Sequence, residues 1–322
     1  MFFAAKFDPA KDLNDLSGKV VVISGANTGI GYHTAKILAG RGAKVYVGSR
    51  SKEKGENAVA QLKEEGISSE QVEYLPCDIS TPALARQAAE VFLSKETRLD
   101  ILVNNAAMLL DGSTISTQDG VTEMIMTNHI GVAQLTMSLL PLLLKTSELP
   151  GSDVRIVTVG SNAHRGSAAK NPKLDFSTLA AFKDPHEKDT FPTFSRYSVS
   201  KLCNTLFSNA LQRQPKVALS NIICISLHPG FVNTSVSSKV SWPRLTNAIM
   251  TLLAIKPEAG AYTSCFAAAS PIVRQHPDQY KGAYLEPYGK ILPASTHAQN
   301  TKMQDDLWRT TEEYLKGQGA SP

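Results

Sequence analysis

The chain has 322 residues, of which 42% are apolar and 19% charged, a composition typical of soluble globular proteins. The net charge is +4 and the basic residues are dispersed rather than clustered, which argues against nucleic acid as a partner. No apolar stretch reaches the roughly 18 consecutive residues of a membrane span, so no transmembrane segment is predicted. The four cysteines and seven histidines are scattered along the chain. We therefore predict no metal site, no disulfide framework and a reducing, cytoplasmic location.

Short runs of β-branched residues alternate with longer amphipathic segments along the chain. The short runs predict strands at residues 20–24, 43–48, 71–75, 101–103, 155–160 and 222–227, and the apolar spacing predicts helices at 52–65 and 81–95. A strand, helix, strand rhythm indicates parallel strands, because parallel neighbours need crossover connections. We therefore predict one α/β domain, a doubly wound parallel sheet with helices on both faces.

A glycine-rich turn follows the first predicted strand and precedes a helical pattern. The turn is Gly25-Ala26-Asn27-Thr28-Gly29-Ile30-Gly31. Glycines at this spacing allow a tight turn and a close approach of the backbone to a pyrophosphate, which then lies at the positive end of the helix. A simple turn is the alternative, but the position between strand and helix favours a dinucleotide site formed by Gly25, Asn27, Thr28, Gly29, Ile30 and Gly31.

The end of the second predicted strand bears on the choice between NAD and NADP. An NAD site typically has an acidic side chain there, whereas an NADP site has a cation for the 2′-phosphate. This chain has Ser49 and Arg50, with no carboxylate before Glu53. The planar guanidinium of Arg50 suits a phosphate, so the predicted cofactor is NADP(H). The alternative is that Arg50 is a solvated loop cation.

A tyrosine and a lysine lie one helical turn apart in the pattern Tyr197-Ser198-Val199-Ser200-Lys201. Residues i and i+4 share one face of a helix. An ammonium near a phenol lowers the pKa of the tyrosine, which would make Tyr197 a usable general acid. The spacing is common by chance, and a surface helix with a solvated lysine is the alternative.

Taken in order, these motifs resemble the short-chain dehydrogenase/reductase family, and within it the retinol-dehydrogenase-like branch. The resemblance runs from about residue 16 to residue 288 and implies a Rossmann-like fold. Its further elements are Cys77-Asp78-Ile79-Ser80, Asn104-Asn105-Ala106-Ala107, Asn128, Ser161, and His228-Pro229-Gly230 followed by Thr234. Seven motifs in the family's order are far more specific than any one of them.

The resemblance implies a role for each matching residue. Tyr197 would be the general acid, Lys201 would bind the nicotinamide ribose, Ser161 would hydrogen-bond the substrate oxygen, and Asn128 would hold a helix kink and a water. The implied cofactor-binding residues are Ser49, Arg50, Asp78, Ile79, Asn104, Ala106, Tyr197, Lys201, Pro229, Gly230, Val232 and Thr234. Among these, Asp78 would meet the adenine amino group and Asn104 would support the sheet end near the adenosine.

The position of the serine departs from the usual family pattern. The polar segment 162–194 separates Ser161 from Tyr197, so the two lie farther apart in the sequence than is usual. Members of the retinol-dehydrogenase-like branch carry a similar insertion, including an Ala-His pair after the serine. Ser167 and Ser195 are the alternative candidates, although Ser195 is too close to Tyr197 to be well oriented.

The predicted organisation is an N-terminal arm at 1–15, an NADP-binding catalytic domain at 16–292 and a C-terminal tail at 293–322. The domain includes the insertion 162–194 and a lid at 235–255. The predicted function is NADPH-dependent reduction of a lipophilic aldehyde or ketone, or the reverse reaction. A ketone of secondary metabolism is an alternative substrate, and a catalytically silent NADP(H)-binding regulator is an alternative function. Two copies could pair through the helices at 120–144 and 197–213.

Overall fold

Seven parallel strands and one antiparallel edge strand form the sheet in the computed structural model, which describes residues 7–109, 119–232 and 255–319. The strands are β1 Val20–Ile23, β2 Lys44–Ser49, β3 Val72–Pro76, β4 Ile101–Asn104, β5 Arg155–Val159, β6 Ile223–Leu227, β7 Tyr284–Glu286 and β8 Lys290–Ile291. Their order in the sheet is β3-β2-β1-β4-β5-β6-β7-β8. The chain direction across the sheet reverses between β1 and β4, and such a switch point is where doubly wound sheets bind ligands.

The helices cover both faces of this sheet. They are α1 Pro9–Asp12, α2 Gly29–Gly40, α3 Lys52–Glu64, α4 Pro82–Leu93, α5 Glu123–Ile125, α6 Gly131–Ser147, α7 Ala180–Lys183, α8 Pro192–Arg213, α9 Pro215–Ala218, α10 Pro257–Ala269, α11 Pro271–Gln275, α12 Pro277–Tyr280, α13 Thr296–Gln299 and α14 Thr301–Gly317. A π-helical segment, Met126–Ile130, joins α5 to α6. Two 3-10 turns, Asn162–Arg165 and Ala168–Lys170, lie in the insertion after β5.

Alternating side chains of the strands divide the core into two apolar clusters. In β1, Val21 and Ile23 belong to one cluster, while Val20 and Val22 belong to the other. Successive strand residues point to opposite faces, so helices must cover both sides of the sheet. The predicted doubly wound α/β fold is confirmed, and each of the six predicted strands is present.

The last helix packs on the domain. The C-terminal tail predicted at 293–322 contains α14, which contacts α8 and buries Leu307 in the core. The ring of Trp308 stacks on Phe207 of α8 at 5.5 Å between centroids. Pairing of two copies through α8 stays a prediction, and α14 covers part of the surface that it would use.

The N-terminal arm is also fixed to the domain over its described residues. Arg41 at the end of α2 donates hydrogen bonds to the carbonyl oxygens of Ala10, Leu13 and Asn14.

The stretch Glu123–Ser147 is long and apolar enough to cross a membrane, but most of it is buried inside the protein.

Candidate active site

A cleft opens at the carboxyl edge of the sheet, between the glycine turn and α8. Its volume of about 440 Å³ is typical of small-molecule sites. The predicted residues that line it are Gly25, Asn27, Thr28, Gly29, Ile30, Gly31, Ser49, Arg50, Asp78, Ile79, Ala106, Tyr197, Lys201 and Pro229. The fold therefore places the predicted dinucleotide-binding residues and the predicted pair Tyr197 and Lys201 around the same cleft.

Five predicted residues do not form the wall of this cleft. Four of them are Asn128, Ser161, Gly230 and Val232, which are not among the lining residues. Asn104 is buried and donates a hydrogen bond to Thr136 on α6, which keeps its side chain inside the protein. Thr234 and the predicted lid, apart from Ile255, lie outside the described residues.

The glycine turn leaves no room for larger side chains. Gly25 has a φ of +66°, and a Cβ atom there would lie 2.8 Å from Cα of Ala106. A Cβ at Gly31 would lie 2.3 Å from the carbonyl oxygen of Gly25. Thr28 begins α2 without a capping hydrogen bond from its side chain, and the first turn of α2 has no acidic residue. The N–H groups of this turn are therefore open to an anion, which fits a pyrophosphate.

The end of β2 is cationic on the side that faces the cleft. Arg50 is exposed, and none of the described residues pairs with its guanidinium. Lys54, from the first turn of α3, also lines the cleft. Asp78 is the single carboxylate among the described lining residues, and its Oδ1 accepts a hydrogen bond from the Ser80 amide. This arrangement favours a second anionic group near Arg50.

Tyr197 lies on the second turn of α8 and Lys201 on the third, and both line the cleft. Lys201 Nζ donates a 2.9 Å hydrogen bond to the carbonyl oxygen of Val159 and lies 5.7 Å from the centre of the Tyr197 ring. Burial lowers the pKa of Lys201 to about 8. Burial raises the pKa of Tyr197, and a hydrogen bond with Ser161 opposes that rise. The expected lowering of the tyrosine pKa by Lys201 does not dominate here, because the ammonium faces a carbonyl and the phenol is desolvated.

Ser161 is the serine whose side chain lies close enough to Tyr197 to lower the pKa of the tyrosine. It lies two residues after the end of β5, and its Oγ accepts a hydrogen bond from the Ala163 amide at 3.1 Å. Ser167 is exposed, and Ser195 is buried within α8, so neither alternative serine takes this place. The predicted insertion therefore leaves the serine beside the tyrosine, because the chain after Ser161 folds into 3-10 turns and returns as α8.

Asn128 lies in the π-helical segment and links the backbone of Met108 to Ser200 on α8. Its Oδ1 accepts from the Met108 amide at 2.7 Å, and its Nδ2 donates to the Met108 carbonyl at 3.0 Å and to Ser200 Oγ at 3.1 Å. A π-helical turn inside a longer helix is a common local distortion at functional sites. A π-helical turn thus lies at the residue for which the resemblance implied a helix kink.

Comparisons with known proteins identify the family. A sequence model described as short chain dehydrogenase matches residues 19–172. A short-chain dehydrogenase/reductase of Armillaria gallica is 40% identical, over 94% of this chain and 95% of that protein. The chain belongs to the short-chain dehydrogenase/reductase family. Another member, from Colletotrichum higginsianum, is 39% identical over 97% of this chain and 78% of that protein. The predicted family is confirmed, whereas the retinol-dehydrogenase-like branch stays a prediction.

Solved structures of the same architecture agree with this assignment. An uncharacterized protein from Mycobacterium paratuberculosis has a TM-score of 0.69 and 27% identity, with 97% of this chain and 98% of that chain covered. A gluconate 5-dehydrogenase from Burkholderia cenocepacia in complex with NADP and tartrate has a TM-score of 0.65 at 18% identity, with 87% of this chain and 97% of that chain covered. At that identity the likeness shows the fold alone.

Two functional candidates of this short-chain dehydrogenase/reductase are missing from the predicted set. Asn105 lines the cleft, and its Nδ2 donates to the carbonyl oxygens of Ser24 and Gly25, which fixes the glycine turn. Asn204 on α8 can donate to the backbone oxygens of Ser200 and Asn128 at 2.7 and 2.9 Å. Asn105 stands next to Asn104 in the predicted motif, so a signal for it was present. Nothing in the sequence indicates the partners of Asn204.

Among the residues of the described ranges, no group of three or more His, Cys, Asp or Glu side chains is arranged to hold a metal ion. The four cysteines are all buried and free.

Proposed function

We propose that this short-chain dehydrogenase/reductase is an NADPH-dependent oxidoreductase that interconverts a lipophilic aldehyde or ketone and its alcohol. The observation that carries the proposal is the position of Tyr197. Tyr197 lines the same cleft as the glycine turn and Arg50, and Arg50 has no ion-pair partner among the described residues. Ser161 lies close enough to the Tyr197 hydroxyl to lower its pKa. A proton donor and an anion-binding turn in one cleft are what a carbonyl reductase requires.

The residues of the cleft fit a nicotinamide dinucleotide phosphate. The turn from Gly25 to Gly31 would hold the pyrophosphate, Asp78 and Ile79 the adenine, and Ser49 and Arg50 the 2′-phosphate. The nicotinamide end would be held by Tyr197, Lys201 and Pro229, which line the cleft. Further contacts would come from Gly230 and Val232, which follow Pro229 but do not line the described cleft, and from Thr234. Bound there, the cofactor supplies the hydride.

The chain itself supplies the proton and the orientation of the substrate. Ser161 Oγ uses one lone pair to accept from the Ala163 amide, so its hydroxyl hydrogen is available for a substrate oxygen. Tyr197 Oη gives its proton to that oxygen as negative charge develops on it. Lys201, held at the Val159 carbonyl, places a positive charge below the tyrosine ring and stabilises the phenolate that remains.

Arg50 is the basis for preferring NADPH over NADH. Its guanidinium is exposed and lacks a partner among the described side chains. The adjacent Ser49 stands where an NAD site has a carboxylate, and its hydroxyl donates to the Ser51 carbonyl oxygen. An unpaired guanidinium binds a phosphate without first breaking an ion pair.

The substrate side of the cleft is apolar where the structure describes it. Met108 and Leu109 line the same cleft as Tyr197. Apolar walls favour a lipophilic aldehyde or ketone, and a ketone of secondary metabolism is the second substrate class to test.

A substrate panel with both cofactors tests the proposal. We expect NADPH oxidation with lipophilic aldehydes or ketones and a much lower kcat/KM with NADH. Arg50→Ala should raise the KM for NADPH at least about tenfold, because the variant loses one charge-assisted contact with the 2′-phosphate. The KM for NADH should be unchanged, because NADH has no such phosphate. Lys52→Ala is the matched control, because Lys52 is an exposed cation two residues away that pairs with Glu56 and does not line the cleft.

Two outcomes would overturn parts of the proposal. Equal efficiency with NADH and NADPH would remove the role of Arg50. Tight NADPH binding without turnover of any carbonyl compound would favour the regulatory alternative.

A cytoplasmic location is a separate prediction, which localisation of a tagged chain can check.

A further inference from the structure

His164 is a fully buried histidine three residues after Ser161. Its Nδ1 lies 2.7 Å from the carbonyl oxygen of Ser161. Its Nε2 accepts a hydrogen bond of 3.0 Å from the backbone amide of Ser295, which lies 131 residues further along the chain. Both ring nitrogens are therefore in contact with backbone groups, and one of these groups belongs to the serine beside Tyr197.

The chemistry of these two partners allows one tautomer. A backbone N–H can only donate, so Nε2 must present its lone pair to Ser295. A carbonyl oxygen can only accept, so Nδ1 must carry the proton toward Ser161. Burial agrees with a neutral ring, since it lowers the pKa of His164 to about 4. The ring thus forms a fixed bridge between the C-terminal segment and Ser161.

Further contacts from the C-terminal part of the chain hold the same 3-10 turn. The ring of Tyr284 in β7 packs edge-on against His164 at 4.8 Å, and its hydroxyl donates to Asn162 Oδ1 at 2.8 Å. Arg165 donates to the carbonyl oxygen of Pro293 at 2.5 Å. Asn162, His164 and Arg165 are thus each in contact with the C-terminal part of the chain.

The conformation of this turn determines where the hydroxyl of Ser161 points. The Ser161 carbonyl accepts both the His164 amide at 3.1 Å and the His164 side chain. Its Oγ accepts the Ala163 amide, which leaves the hydroxyl hydrogen for Tyr197 or for a substrate oxygen. A rotation of the Ser161 carbonyl would move all of these groups together.

We propose that His164 is a positioning residue for Ser161, and that the Ser295 amide fixes the His164 tautomer required for this. The proposal rests on the carbonyl reductase function proposed above, because it assigns the orientation of Ser161 to the C-terminal segment of the same chain. His164 does not line the cleft and acts through the backbone of Ser161.

The tautomer can be tested in the wild-type protein without any assay of activity. Nitrogen-15 NMR of the histidine-labelled full chain distinguishes protonated Nδ1 from protonated Nε2, and the signal absent from the His164→Asn spectrum identifies His164 among the seven histidines. We expect a neutral ring with the proton on Nδ1 at pH 7. A proton on Nε2, or a charged ring, would overturn the proposal even if the enzyme is active.

A pair of substitutions then separates the two contacts. In His164→Asn the amide nitrogen can replace Nδ1 and donate to Ser161, whereas in His164→Gln the longer side chain can reach Ser295 but not Ser161. We expect His164→Gln to lower kcat about tenfold to a hundredfold, as small misplacements at an active site do. The KM for NADPH should be unchanged, and His164→Asn should keep kcat within about threefold of the wild type.

The outcomes separate this proposal from the proposed function. If His164→Gln is folded and retains the wild-type kcat, or if His164→Asn loses as much as His164→Gln, His164 does not position Ser161. If the wild type reduces no carbonyl compound, the proposed function fails, and the NMR result still decides whether the bridge exists.

Discussion

At the scale of single residues, burial determines the protonation states in the cleft. Burial raises the pKa of Tyr197 and lowers the pKa of Lys201 to about 8. Tyr197 therefore keeps its proton at neutral pH and can give it to a carbonyl oxygen. Lys201 is still charged at pH 7, since its pKa lies above that value. The pair thus suits reduction near neutral pH, and the phenolate formed has a cation close below its ring.

Tyr197→Phe tests this assignment by removing one hydroxyl and keeping the ring. We expect kcat to fall by about a hundredfold to ten-thousandfold, the usual contribution of a general acid. The Kd for NADPH, measured by fluorescence titration, should change by less than about threefold because the ring still packs. Tyr46→Phe is the control, since Tyr46 donates to Glu96 away from the cleft. Wild-type turnover by Tyr197→Phe would mean that another group donates the proton.

At the scale of elements, the buried strands could be predicted and the contacts between distant elements could not. β1 consists of β-branched residues, and β2 and β6 each contain two or more β-branched or aliphatic residues within a short, largely apolar run, so the composition indicates their position. β7 and β8 are three and two residues long, too short for any periodic pattern. Tyr197, Lys201 and the glycine turn have fixed local spacings and were predictable for that reason.

The missed contacts share one physical cause. Hydrogen bonds link His164 to Ser295 and Asn204 to Asn128, and in each pair the two residues are far apart in the sequence. One partner in each bond is a backbone group. A backbone group has no sequence signature, so no spacing indicates such a bond. The π-helical turn at Asn128 is likewise set by these contacts with α8 and Met108 rather than by local residue preference.

Asn128→Ala tests how far this element depends on one side chain. It removes three hydrogen bonds and leaves the amide and carbonyl of Met108 without their partner. We expect the free energy of unfolding to fall by about 1–3 kcal/mol, the cost of polar groups left unsatisfied in a buried site. Ser200→Ala removes one of these bonds and should cost less. Urea denaturation of both variants measures the difference, and equal losses would mean that the Met108 contacts contribute nothing.

At the scale of the whole molecule, the C-terminal helix connects the elements around the cleft. Thr311 of α14 donates its hydroxyl to Leu307 and so can accept a hydrogen bond from His129 Nε2, which lies 2.8 Å away. His129 is the neighbour of Asn128 in the π-helical segment. The Tyr314 hydroxyl, on the same helix, donates to Asp119. The segment predicted as a tail thus packs, through α14, against the π-helical segment that contains Asn128. Both segments belong to one folded unit.

Three buried histidines make the stability of this unit depend on pH. Burial lowers the pKa of His129 to about 3 and the pKa of His164 and His228 to about 4 each. An unfolded histidine binds its proton near pH 6.5. Between pH 6.5 and 4 the unfolded chain therefore binds more protons than the folded chain, so the free energy of unfolding must fall as the pH is lowered.

His129→Gln isolates the share of one histidine in this loss. Nε2 of His129 already donates to Thr311, and Nδ1 has no acceptor among the described residues, where the rings of Phe182 and Phe207 surround it. A second proton has no partner there, so the folded state excludes it. Glutamine can still bond to Thr311 but does not titrate. Urea denaturation between pH 6 and 4 should give the variant a slope shallower by about 1.4 kcal/mol per pH unit. An unchanged slope would show that His129 is protonated in the folded protein, and that α14 and the π-helical segment separate at acidic pH.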